Sequence, residues 1–245
     1  DLIQKACDIT EKGFRRVLSY IKPDVWEYDI EAEFIHEFIK NKSKGFAYQP
    51  IIASGINACS LHYNTNNSVC KSGDLILMDV AAEYSNYKSD MTRTVPVNGK
   101  FSKRQLEVYN AVLNVKNEAT NILRPGISIN EYHKEVGKIM ESELIKIKLL
   151  DKHDVKKQNS KNPLFKKYFM HGTSHHLGLD VHDVGNFYVD LSSGNVFTVE
   201  PGIYIREENL GVRLEDNILV GKDKNHNLMK NIPILPEEIE DIMNS

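Results

Sequence analysis

Apolar residues recur every three or four positions over residues 1–20 and again over 27–42. That period lays one apolar stripe along an α-helix. Lys22-Pro23-Asp24 separates the two segments as a helix stop followed by a turn. The same spacing predicts a second helix pair over 102–123 and 128–147. Between the pairs the pattern changes: 47–52 reads as a strand, and 74–83 and 87–97 are apolar runs rich in Tyr and Thr that predict two more. Residues 55–67 are crowded with Asn, Ser and Gly, which predicts a loop holding His62 and Tyr63. Further strands are expected near 195–205 and 211–220, and a short helix from Pro236. The stretch DKHDVKKQNSKN, residues 151–162, is charged without apolar periodicity and predicts an exposed insertion.

Helices followed by strands thus occur twice, and the details match in order. Ser72-Gly73-Asp74 leads through Leu75-Ile76-Leu77-Met78 to Asp79, and Ser193-Gly194-Asn195 leads through Val196-Phe197-Thr198-Val199 to Glu200. A second acid opens the next strand in each copy, Asp90 in DMTRTVPVNG and Glu215 in EDNILVG. Upstream, Ile21-Lys22-Pro23 matches Leu123-Arg124-Pro125. The second copy is longer by about the length of the charged insertion. The chain therefore reads as one domain, residues 1–245, made by duplicating an α+β half that carries two acids.

Composition narrows the partners. The 245 residues suit one large core. With 31 Lys plus Arg against 34 Asp plus Glu, the formal charge is -3, which gives no electrostatic case for nucleic acid or an anionic membrane as main partner. No apolar run approaches the roughly 20 residues that span a bilayer. The opening DLIQKACDITEKGF reads as an amphipathic helix rather than a signal peptide. Three cysteines without C-x-x-C spacing exclude a disulfide framework and fit a reducing, cytoplasmic setting. The first residue is Asp rather than Met, so a piece cut from a longer chain is expected.

The chemistry lies in the acids and histidines. Asp79 sits within LILMDVAA, a run that is apolar on both faces, where an unpaired carboxylate would cost several kcal/mol. It must be neutralised, paired or metal-bound, and a buried salt bridge answers that need as well as a metal does. Glu200 in VFTVEPGIYI repeats the argument. Taken alone, Asp90 fits a surface or capping role, and Glu215 fits an ion pair with nearby Arg213. The duplication joins them: if the halves pack about a pseudo-twofold axis, four carboxylates meet at one buried site. Two divalent ions would neutralise that charge, and carboxylate-dominated ligation favours Mn²⁺ or similar hard ions over copper. MHGTSHHLGLDVHDVG adds His171, His175, His176 and His182, four of the nine histidines. One neutral imidazole there could ligate a metal while others face a substrate.

LHYN around His62, DVAAEYSNYKSDMTRTVPVNGKF, HGTSHHLGLDVHDVG, TVEPGIYI and GVRLEDNILV resemble, in order and over essentially the whole chain, the catalytic domain of the aminopeptidase P family. These are the Xaa-Pro aminopeptidases. The resemblance implies the pita-bread (creatinase/aminopeptidase) fold shared with methionine aminopeptidase and prolidase, with a curved, mostly antiparallel sheet and pseudo-twofold symmetry. It also implies a dinuclear site of Asp79, Asp90, His175, Glu200 and Glu215, in which Asp90 and Glu215 bridge the ions. The family usually uses Mn²⁺, with Co²⁺, Zn²⁺ and Fe²⁺ as alternatives. His62, His171 and His182 match histidines that face substrate or brace the ligands, and Arg213 matches an arginine supporting the bridging Glu. His176 stands where many relatives have an aromatic residue, and no role is assigned to it. Members typically carry an N-terminal domain, expected to be absent here, which leaves the assembly open and a homo-oligomer allowed.

The implied reaction is hydrolysis of the bond between an N-terminal residue and a following proline, on a peptide with proline at position 2. Glu200 would accept the water proton and pass it to the departing nitrogen, while His182 and His62 donate hydrogen bonds to the developing oxyanion. Prolidase, acting on Xaa-Pro dipeptides with the same ligands, is the nearest alternative. Ser174 in HGTSHHLGL leans towards aminopeptidase P. Methionine aminopeptidase fits less well, because HGTSH…DVHDVG and PVNGKF are of the proline-specific type. A catalytically silent peptide- or protein-binding module, or creatinase-like chemistry without metal, is disfavoured by the intact set of five ligands.

Overall fold

The computed structural model describes residues 1–186 and 188–245. The helix pairs form where the apolar periodicity predicts them. In the first half α1 (Leu2–Leu18) packs on α2 (Glu27–Lys40), and in the second α3 (Lys103–Ile122) packs on α4 (Ile129–Lys146). Ser102 starts α3 by accepting from the Gln105 N–H while the Gln105 side chain returns to the Ser102 N–H. That reciprocal pair satisfies two of the donors a helix start leaves open. Ser128 caps α4 on the Glu131 N–H. The charged insertion is exposed as expected, and it contains one short helix, α5 (Lys152–Lys157). The final helix, α6 (Pro236–Met243), places Pro236 at its first position, where no N–H is needed.

Ten strands among the described residues follow the duplication. The first half holds β1 (Ile51–Ser54), β2 (Leu75–Asp79), the hairpin β3 (Glu83–Tyr84) with β4 (Tyr87–Lys88), and β5 (Thr92–Pro96). The second holds β6 (Val196–Val199), the hairpin β7 (Gly202–Ile205) with β8 (Leu210–Arg213), β9 (Asp216–Leu219) and β10 (His226–Asn227). In each half a strand leads up to an acid and then into a hairpin, and the strand after the hairpin returns to pair with the first: β5 with β2, β9 with β6. Every ladder among the described residues is antiparallel, in the orders β1-β2-β5 and β10-β9-β6. No helix among the described residues is long and apolar enough to cross a membrane.

Strand boundaries depart from the sequence pattern at informative places. The strand expected over 47–52 lies instead at Ile51–Ser54, because Pro50 has no N–H to give a ladder and the residues before it are irregular. The run expected to reach residue 83 stops at Asp79, where β1 runs out opposite Ile51. The run 195–205 breaks at Glu200-Pro201, and 211–220 breaks at Leu214-Glu215, whose Glu215 N–H crosses to the Thr92 carbonyl at 3.0 Å.

Alternation along the strands separates two apolar layers. Ile52, Ile76, Met78 and Val95 join the main core beneath the helices. Ile51, Ala53 and Leu77 face the other way and form a smaller cluster with Tyr204, covered by Leu61 and Tyr63. Asp79 follows Leu77 onto this second face. Gly211 of β8 approaches the turn at Gly55–Cys59 so closely that an added Cβ would sit 2.5 Å from the Ala58 carbonyl oxygen.

A buried charge cluster fastens the halves. Arg93 of β5 is 0 % exposed and donates to Pro233 O (2.9 Å), Thr92 O (3.0 Å), Glu215 O (2.6 Å) and the Asp216 carboxylate (2.6 Å). Asp216 also pairs with Lys116 of α3 and accepts from the Asn227 amide at 2.7 Å. Burial alone would raise the Asp216 pKa, but Arg93 and Lys116 hold it well below the usual carboxylate range. A depressed pKa contributes stability above the unfolded value near ~3.9 and loses it only as pH falls further. Asp216→Asn leaves two buried cations without a counter-charge, so unfolding in urea at neutral pH should show a loss of about 3–5 kcal/mol with an unchanged slope. A loss below about 1 kcal/mol would show that the cluster does not hold the halves together.

Candidate metal centre

Each of the four acids stands where a strand stops. Asp79 ends β2, Asp90 precedes β5, Glu200 follows β6, and Glu215 lies between β8 and β9. The second acid of each half is gripped by the opposite half. The Asn217 side chain donates to Asp90 O at 2.7 Å and accepts from the Asp90 N–H at 3.0 Å. The Thr92 hydroxyl donates to Glu215 Oε2 at 2.6 Å. His175 completes the group, with Nε2 3.4 Å from Asp90 Oδ2 and 3.5 Å from Glu200 Oε1. Its Nδ1 lies 3.0 Å from the His176 carbonyl. A carbonyl only accepts, so Nδ1 carries a hydrogen and Nε2, once deprotonated, offers its lone pair to the pocket.

The structure brings together every residue to which the resemblance gives a role. His62, Asp79, Asp90, His171, His175, His182, Glu200, Arg213 and Glu215 line one cavity of about 470 Å³. The side chains do not all point to one task. Arg213 Nη2 donates to Asp79 Oδ2 at 2.7 Å, Nη1 to Tyr204 Oη at 2.8 Å and Nε to Thr92 Oγ1 at 3.1 Å. The arginine expected to support Glu215 therefore pairs directly with Asp79 and reaches Glu215 through Thr92. His171 Nδ1 lies 2.7 Å from the Gly172 carbonyl and Nε2 2.8 Å from Tyr204 Oη. With Nδ1 donating, Nε2 accepts from Tyr204, so both nitrogens are engaged and His171 braces the Arg213–Tyr204 chain. His182 stands edge-on to His175 with ring centres 4.3 Å apart, and His62 and His182 are exposed at the mouth. His176 packs on Phe197, ring centres 4.2 Å apart.

Four supports escaped the sequence reading. Tyr48 is half-buried and donates to Asp79 Oδ1 at 2.6 Å. Tyr204, 2 % exposed, links Arg213 to His171. Thr92 and Asn217 hold the two cross-gripped acids. Thr92 and Asn217 sit within two residues of Asp90 and Glu215, and strand alternation could have marked Tyr204 as facing away from the core. Tyr48 has no such signal, because it lies in an irregular segment.

Electrostatics shows what the pocket lacks. Burial raises the pKa of Asp90, partly offset by the hydrogen bond from His175. Burial pushes Glu200 up to about 7, against the pull of His175. Burial, with Asp90, Glu200 and Asp79 nearby, holds Glu215 well above the usual range. Burial would lower His175, but the hydrogen bond and charge of Asp90 raise it to about 9. Burial, with Arg213 beside it, pushes His171 down to about 3, and burial with the His175 charge lowers His182. Asp90, Glu200 and Glu215 thus ionise less readily than free carboxylates, because no cation of the chain compensates all of them. Ligand atoms of Asp90, His175 and Glu215 lie within 4.8 Å of one another, a hard oxygen-rich set with one imidazole. These residues fit a divalent cation.

The model of metallopeptidase family M24 matches residues 1–222. The Xaa-Pro aminopeptidase of Escherichia coli (strain K12) is 40% identical over 99% of this chain and 57% of its own length. That of Haemophilus influenzae is also 40% identical, over 99% of this chain and 59% of its own. A zinc-substituted E. coli aminopeptidase P in complex with product superposes with a TM-score of 0.92 at 39% identity, covering 99% of this chain and 57% of that one. The chain therefore spans little more than half the length of these relatives, and it shares their pita-bread fold. Matched along 222 of its 245 residues, with the acids of both halves gathered in one cavity, the chain belongs to metallopeptidase family M24.

Proposed function

We propose that residues 1–245 act as one catalytic domain that hydrolyses the bond between an N-terminal residue and a following proline. Two divalent ions, Mn²⁺ foremost, would be held by Asp79, Asp90, His175, Glu200 and Glu215. The observation that carries this reading is the meeting of acids from both halves with His175 in one cavity that His62 and His182 overlook. The likeness to Xaa-Pro aminopeptidases over 99% of the chain supports the substrate class. The three cysteines are free and buried, which supports a reducing, cytoplasmic setting.

Bound divalent ions would lower the pKa of a water and polarise the scissile carbonyl. The chain supplies the rest. Glu200 lines the cavity 3.5 Å from His175, where it can take a proton from the attacking water and give it to the leaving nitrogen. A proline nitrogen carries no hydrogen in the peptide, so it departs as an amine only if a group delivers one. His62 and His182 stand where they can donate to a developing oxyanion, a contribution of about 3 kcal/mol per donor. Arg213, Tyr204 and His171 hold one wall of the cavity in place.

Three outcomes are expected. With added Mn²⁺ the protein should cleave Xaa-Pro-Xaa tripeptides and lose that activity on chelation, and a faster rate on Xaa-Pro dipeptides would assign it to the prolidases. Glu200→Gln should lower kcat by about 10²–10⁴-fold, and retention of full activity would remove Glu200 as the base. Metal uptake should release protons, because His175 gives up one held at about 9 and Glu200 one held at about 7. Affinity should therefore rise with pH between about 6 and 9. Calorimetry in buffers of different ionisation enthalpy reads this directly, and a pH-independent affinity would contradict it.

A further inference from the structure

Glu27, the first residue of α2, is 0 % exposed and accepts hydrogen bonds only from neutral donors among those described. Its Oε1 accepts from the Ser54 N–H (2.8 Å), the Ser54 hydroxyl (2.7 Å) and the Asn57 amide (3.2 Å). Its Oε2 accepts from the Tyr63 hydroxyl (2.7 Å) and the Ser68 N–H (2.9 Å). The Glu27 N–H in turn donates to Ser68 O at 3.0 Å. The helix start favours a carboxylate here. One side chain thus binds the beginning, the middle and the end of the segment 54–68.

An apolar residue of similar size would leave buried donors unpaired, so the network specifies a loop conformation more than it adds net stability. The middle tether is the informative one. Tyr63 is drawn inwards to Glu27, and its neighbour His62 faces the opposite way, into the cavity. His62 also borders an adjoining lobe of about 270 Å³ together with His182, Asp79 and Asp90. It therefore stands at the junction of the two spaces.

We propose that Glu27 is a positioning residue for His62: through Tyr63 it fixes the 54–68 loop so that the imidazole stands over the cavity. Its effect on turnover then passes through His62. This rests on the reading above, in which His62 touches the substrate.

The test is a double-mutant cycle on kcat/KM for an Xaa-Pro-Xaa peptide, joined to amide hydrogen exchange of the metal-free protein. Tyr63→Phe removes one hydroxyl and keeps the ring, and Glu27→Gln is the second variant. Each should lower kcat/KM by about 10–100-fold in the parent, the scale expected of a displaced catalytic contact. In a His62→Ala background each should change it by less than about twofold. Amides between residues 60 and 65 should exchange about tenfold faster in Tyr63→Phe, with the helix amides unchanged. Equal losses in both backgrounds, or unchanged exchange in the loop, would overturn the proposal. Full turnover by His62→Ala alone would instead remove His62 from the reaction, while the exchange data still decide whether Glu27 orders the loop.

Discussion

Four carboxylates directed into one partly buried cavity carry a repulsion that the rest of the structure is arranged to contain. Each negative charge brought out of water must find a cation, a donor or a proton. Arg213 and Tyr48 answer for Asp79, Thr92 answers for Glu215, and His175 lies between Asp90 and Glu200. What these neighbours leave uncompensated shows as raised pKa values at Asp90, Glu200 and Glu215. A divalent cation held there would compensate the same charge, so the proposed metal binding answers the constraint that shapes the cavity.

The constraint also explains why neither half suffices. Asp90 is held by Asn217 and Glu215 by Thr92, so the second acid of each half is oriented only when the other half is in place. Arg93 reinforces this from outside the cavity by gripping the carbonyls of Thr92 and Glu215 along with Asp216. The strands break at the acids because a side chain in the middle of a ladder must point straight up or down from the sheet. At a strand end it can turn towards a partner on the other half.

Two grades of rigidity result. The acids stand on strand ends and are cross-braced, whereas His62 and His182 stand on irregular segments at the cavity mouth. Loops positioned by a rigid scaffold commonly carry contacts to substrate, but they need fixing if the geometry is to be reproducible. Glu27 supplies such fixing for the segment around His62, using neutral donors alone and so drawing no cation away from the four acids of the cavity.

The helices, the duplication and the identity of the acids and histidines are legible in the sequence, because periodicity and repetition are local properties of the chain. Asp79 and Glu200 stand out as acids within apolar runs, and Asp90 and Glu215 gain meaning only as their repeats. Strand ends are less legible: whether β2 stops at Asp79 depends on where β1 runs out, and β1 itself is displaced by Pro50. Arg213 looked like the partner of Glu215 by proximity along the chain, yet it pairs with Asp79 across 134 positions. Tyr48 and Glu27 gave no sign of their roles. Residue chemistry and repetition along the chain pick out the candidate ligands and the segments that carry them. Only the tertiary structure decided which donor meets which acid, because hydrogen bonds and ion pairs act over about 3 Å and their partners are brought within that range by packing the two halves together.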